Sequence, residues 1–201
     1  MRGVLLIVLL FLSGALPTHS TSWPTATPGF YQRLASAAVT LTDDRVVYDG
    51  AYFKIPYPNG DVPSGKGVCT DVVIRAYRKL GIDLQQLVHE DMKANFDVYP
   101  KRWGMRKTDT NIDHRRVPNL MTFFARKGTS LSKSTKAADY QPGDIVTWDL
   151  GHGITHIGIV SDRLSSTPGR HLIVHNIGNG QELADCLLQF SITGHYRFDN
   201  R

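Results

Sequence analysis

Three residues of this chain have types and an order suited to nucleophilic chemistry: Cys69, His156 and His175. The thiol stands in Lys66-Gly67-Val68-Cys69-Thr70-Asp71-Val72-Val73, where an amphipathic stretch begins. Each histidine is set in an apolar, β-branched run, Thr155-His156-Ile157-Gly158-Ile159-Val160 and His171-Leu172-Ile173-Val174-His175-Asn176. A thiol attacks a carbonyl well only when ionised, and a helix N-terminus and a neighbouring imidazolium both promote that ionisation. In such an arrangement Cys69 is the nucleophile. His156 takes its proton and later protonates the leaving amine, while His175 fixes the tautomer of the first ring. Taken singly, each residue also has a plainer role: a small buried residue at a helix start, or a histidine satisfied within a sheet.

For the thiol to meet the histidines, a helix start must abut a sheet, and the pattern of the chain supplies both. Tyr31, Leu34, Ala38 and Leu41 predict a helix over 30–41. Val72, Val73, Ala76, Tyr77 and Leu80 form one stripe of a helix over 69–80, stopped by Gly81. Further helices are expected over 85–96 and 119–127. Residues 49–68, rich in Gly and Pro, read as loop with one short strand. After the Pro142-Gly143-Asp144 turn the character becomes β, with strands expected over 145–148, 156–161, 171–177 and 187–192, and a short one over 196–198. Helices first and an antiparallel sheet afterwards give an α+β fold, the N-terminal helices packed on the C-terminal sheet. With no internal repeat and no linker, residues 29–201 are expected to form one domain.

Residues 1–20 have the layout of a secretory signal: Arg2, an apolar run over 4–12, then small residues. Residues 21–28, with Thr, Ser and Pro, read as a flexible lead-in. The apolar run is too short to span a bilayer, which needs about 20 residues, and no later stretch is suitable, so stable membrane insertion is not expected. An exported protein of the periplasm or cell envelope is the expectation. The net charge of +5 then points to wall polymers and stem-peptide carboxylates, not nucleic acid. An oxidising compartment also lets Cys69 and Cys186 pair, which would remove the nucleophile. Cys186, in Leu183-Ala184-Asp185-Cys186-Leu187-Leu188, reads equally as a small buried residue.

The order of these segments resembles that of the NlpC-like cell-wall cysteine peptidases of the papain superfamily. There a helix-start cysteine precedes a Pro-Gly-Asp strand, a His-φ-Gly-φ strand (φ, apolar) and a third polar residue; here these are Cys69, Pro142 to Trp148, His156 to Ile159, and His175. More closely, the chain resembles a bacterial exported family of unknown function, number 1287. Gly67 to Asp71, Val88-His89-Glu90-Asp91-Met92, Asn111 to Val117, His175-Asn176-Ile177-Gly178 and Gly194-His195-Tyr196-Arg197 carry that likeness. It implies a papain-like NlpC-type fold and a thiol hydrolase. The chain departs from the common peptidases in having Thr70-Asp71 where they have Ser-Gly, and in its longer, charged segment over 81–140.

Within that segment, Asn111-Ile112-Asp113-His114-Arg115-Arg116-Val117 admits two readings. Arg115 and Arg116 could grip a substrate carboxylate, with Asp113 and His114 polarising the cleft. Alternatively the four form an internal salt-bridge cluster. Three functions compete: a thiol hydrolase of a peptidoglycan amide bond, a non-catalytic wall-binding module, and a zinc hydrolase using His152 and His156, with His175, His114 or Cys69 completing the site. No HExxH or paired CxxC supports the third, so neither metal nor cofactor is expected.

Overall fold

Apolar residues at three- and four-residue spacing wind the first half of the chain into helices. The computed structural model describes residues 29–200; the expected leader (1–20) and lead-in (21–28) lie outside the described residues. Helix α1 (Phe30–Val39) buries Leu34, Ala35 and Ala38, and tightens into a 3₁₀ turn over Thr40–Asp43. Helix α2 (Cys69–Lys79) buries all but its last residues and one arginine, and α3 (Leu84–Ala94) starts where Asp83 accepts the Gln85 N–H. Helix α4 (Val117–Lys127) begins two residues ahead of the expected start, because Pro118 suits the first turn of a helix.

Two short parallel strands, β1 (Val47–Tyr48) and β2 (Lys66–Gly67), precede α2. The main sheet comprises β3 (Thr129–Ser130), β4 (Ile145–Asp149), β5 (Thr155–Leu164), β6 (His171–His175), β7 (Glu182–Ala184) and β8 (Ser191–Arg197). Its order is β3-β8-β4-β5-β6-β7, antiparallel throughout. The α+β expectation, helices on an antiparallel sheet, describes this structure.

Strand alternation sorts the core into two layers. Ile145, Ile157, Ile159 and Val174 face the helices and join Leu34, Ala38, Val72, Val73, Tyr77 and Phe124. Val146, Trp148, Val160 and Ile173 face the other way, against Tyr140, Cys186 and Leu187. Gly158 lies on this second face; a Cβ there would come within 2.7 Å of Ile173 Cγ2 and 2.9 Å of the Val174 carbonyl. The glycine is needed for strand-to-strand closeness.

Two strand expectations are corrected. Residues 187–190 are not a strand: Leu187 is fully buried, and its carbonyl accepts the Trp148 indole N–H at 2.9 Å. That burial gives an apolar signal without ladder pairing. The last strand, β8, begins at Ser191 and absorbs the short segment expected at 196–198. No disulfide joins Cys69 and Cys186; both are free and buried. Among the described residues no helix is long and apolar enough to cross a membrane.

Candidate active site

Helix α2 begins at Cys69 because Asp71 reaches back to it. One carboxylate oxygen of Asp71 accepts the Val68 N–H at 2.7 Å, the third-residue half of a capping box. The same carboxylate takes the Arg115 guanidinium in a paired contact, Nε and Nη2 both at 3.0 Å. Both side chains are almost wholly buried. Arg115 also donates to the Ala51 carbonyl at 3.3 Å, and its own carbonyl accepts the Thr70 hydroxyl at 3.2 Å. Gly67 serves this corner by its smallness: a Cβ would meet Arg75 at 3.1 Å and Asp71 at 3.3 Å. The need is room beside these two side chains.

The register of β5 with β6 ends at Ile159↔Val174. Two residues beyond, the Ile157 N–H favours the ionised form of the Cys69 sulfur, as do the N–H groups of Thr70 and of Cys69 itself. Across the gap, Asn176 donates from its side chain to the Gly67 carbonyl at 3.4 Å and ties the end of β6 to the entrance of α2. The sulfur thus sits at the edge of β5, where the strand after β6 peels away.

Burial dominates its ionisation. Desolvation pushes the thiol up to about 12 against the pull of three backbone N–H groups, and the Asp71 carboxylate adds to the rise. A helix start alone was expected to favour the thiolate; here loss of water outweighs it. At rest Cys69 is a neutral thiol.

The two histidines meet on the second face of the sheet. His156 Nε2 and His175 Nδ1 are 2.9 Å apart, the rings nearly perpendicular. Trp148 lies over His156, its ring centroid 5.9 Å away. Burial lowers His156 to about 3, helped by His175, and lowers His175 to about 4. Both rings are therefore neutral, and one donates to the other. The far nitrogen of His175, Nε2, faces Cys186 Sγ at 3.7 Å and Glu182 Oε1 at 3.9 Å. Among the described residues no hydrogen bond runs from the Cys69 thiol to either ring; the link is the Ile157 amide, directly after His156.

The 111–117 motif divides. Asp113 is fully buried, accepting from the Asp109 N–H at 2.7 Å and lying 3.0 Å from His89 Nδ1. His114 is buried, its desolvation lowering it to about 3. Arg115 is consumed by Asp71. Arg115, expected to grip substrate, is instead buried against Asp71 and Ala51, and Asp113 and His114, expected to polarise the cleft, are instead buried in the interior. Arg116 differs: half-buried, it stacks on Trp103, 4.6 Å from the ring centroid, and Trp103 is 61% exposed.

His195 and Arg197 are fixed by the turn aspartate of Pro142-Gly143-Asp144: Asp144 meets His195 Nε2 at 2.7 Å and Arg197 Nε at 2.5 Å. Among the described residues no group of three His, Cys, Asp or Glu is placed to hold a metal, and His152 sits in the β4–β5 turn with φ 54°. A cavity of 360 Å³ opens beside Thr155, the residue before His156, between Pro118 and Met121 of α4 and Asp149 and Gly153 of the β4–β5 turn. A larger cavity, 650 Å³, lies elsewhere, around Arg75, Arg78 and Lys79 at the far end of α2. Sequence reasoning missed Glu182 and Asn176 as parts of this site. Asn176 stood directly after His175, the one signal that could have drawn notice.

A family described as "Domain of unknown function (DUF1287)" matches residues 35–198. A relative from Escherichia coli (strain K12), titled "Uncharacterized protein YijF", is 45% identical over 199 residues, covering 96% of this chain and 97% of its own. No solved structure matches.

Proposed function

The chain belongs to the DUF1287 family, and from that premise we propose that it is an exported thiol hydrolase. Its substrate is an amide bond of peptidoglycan, within the stem peptide or at its sugar link, on a fold of the papain-like NlpC type. The observation that carries the reading is that Ile157, whose backbone N–H favours the ionised Cys69 sulfur, directly follows a histidine that is itself hydrogen-bonded to a second histidine.

Because thiol and rings are neutral at rest, proton transfer accompanies attack instead of preceding it. Cys69 Sγ bonds to the carbonyl carbon as His156 takes the thiol proton through Nδ1, the nitrogen not engaged with His175. The oxyanion develops beside the N–H groups at the start of α2. The imidazolium then protonates the leaving amine as the C–N bond breaks, giving a thioester on Cys69. Water, deprotonated by His156, releases the acid and restores the thiol. The positive surface and the expected leader suit a wall substrate.

One observation favours a second reading, a wall-binding module without catalysis: Cys69 is only 5% exposed, with its thiol pushed up to about 12. Digestion of purified peptidoglycan separates the two. The hydrolase releases new fragments, identified by mass spectrometry, that vanish with Cys69→Ala. The binding module releases none, and its binding survives that substitution.

A further inference from the structure

Outside the Cys69–His156–His175 set, one buried nucleophilic group and one carboxylate converge on a single atom. His175 uses Nδ1 toward His156. Its other nitrogen, Nε2, has Cys186 Sγ at 3.7 Å and Glu182 Oε1 at 3.9 Å. Cys186 is buried in the layer with Trp148, Val160 and Ile173, while Glu182, paired across from His175 in the β6–β7 ladder, is part-exposed.

These contacts favour one direction for the chain of hydrogen bonds. The Glu182 carboxylate, at 3.9 Å too far for a direct hydrogen bond, still favours an N–H over a lone pair on the nitrogen that faces it. The thiol, a weak donor and a weak acceptor, does not oppose this, so the proton is assigned to His175 Nε2. Neutral imidazole carries one proton, which leaves His175 Nδ1 as an acceptor. The 2.9 Å contact must then be donated by His156 Nε2. With its proton there, His156 presents a bare Nδ1. We infer that Cys186 and Glu182 are positioning residues that lock both imidazoles as Nε2–H tautomers and so leave His156 with a lone pair for the Cys69 proton. Burial supports this, since both rings are held neutral. Cys186 is thus neither a second nucleophile nor a disulfide partner; its sulfur is an acceptor. The assignment of Nδ1 as the working base rests on the proposed hydrolase reading, but the tautomers do not.

The test is ¹⁵N NMR of the imidazole nitrogens in the wild-type protein at neutral pH. Both His156 and His175 should show a protonated Nε2 and a bare Nδ1. A protonated Nδ1 on either ring overturns the inference, without recourse to any variant or substrate. In the double substitution Cys186→Ala with Glu182→Gln, His175 should become a mixture of tautomers. If hydrolysis is measurable, kcat should fall about 10- to 100-fold with KM unchanged, less than the roughly 10²–10⁴-fold for loss of the base itself. Glu182→Asp, which keeps the carboxylate, should recover most of it when Cys186 is retained. Tautomers unchanged in the folded double variant would also overturn the inference. Correct tautomers in a protein that cleaves no wall material would leave the inference standing and sink the hydrolase instead.

Discussion

The main sheet carries two buried histidine couples that solve the problem of burial in opposite ways. His195 lies against Asp144 at 2.7 Å, with its other nitrogen 2.9 Å from the Ser132 carbonyl and Arg197 on the same carboxylate. Every polar atom of that ring is spoken for. His156 has a neutral partner, His175, at 2.9 Å, and the nearest carboxylate is one ring further away. A ring with both nitrogens engaged, one by a carboxylate and one by a carbonyl, has neither to offer a substrate and ties β8 to the turn before β4 and to the 131–132 segment. A ring held by another neutral ring keeps one nitrogen for chemistry. The difference explains why a histidine in a strand is no sign of function until its partners are known.

That contrast can be broken by substitution at each couple. His156→Ala should lower kcat per folded molecule by about 10²–10⁴-fold, as for loss of a general base, beyond a stability cost of about 1–3 kcal/mol from the buried ring's lost hydrogen bond. Equal loss from His195→Ala per folded molecule would erase the distinction. Asp144→Ala should act on stability, costing about 3 kcal/mol by leaving buried or half-buried donors without their acceptor. The activity of the folded fraction should be retained. The corresponding cut at the thiol corner, Asp71→Ala, should cost a similar amount, because Arg115 would be left charged and nearly 2% exposed without its anion.

Acid sharpens the comparison through the neutral rings. His114, His156 and His175 titrate in the fold at about 3, 3 and 4, below their ordinary 6.5. As pH falls, the unfolded chain binds these protons first, so stability is full above about pH 6.5 and drains away toward the folded values. Thermal unfolding followed from pH 7 to 4 should show a falling Tm. A flat profile would mean that these rings are not buried neutral. The smallest effect belongs to the surface: Trp103→Ala removes one exposed cation–π contact with Arg116 and should change stability by no more than about 1 kcal/mol.

Much of this architecture was legible from periodicity. The stripes of α1 and α2, the Gly81 stop and the β-branched runs of β4, β5 and β6 all reflect local geometry imposed by burial. The 187–192 strand failed because Leu187 is buried by capping Trp148, and an apolar residue reads the same whether or not its backbone joins a ladder. The arginines of the 111–117 motif could not be sorted either: whether Arg115 faces solvent or Asp71 depends on a contact across 44 positions in sequence. The thiol was misjudged in its resting charge for a related reason. The helix start is local and visible, whereas the desolvation that overrides it comes from β5 and the chain after β6.

The most direct test of the account is to find which thiol becomes acylated. The protein, incubated with soluble stem-peptide fragments and quenched in acid, is digested and mapped by mass spectrometry. A thioester on the peptide bearing Cys69, with Cys186 unmodified, is the predicted result. Fragment release with no adduct on Cys69, undiminished in Cys69→Ala, or an adduct on Cys186 instead, would contradict it.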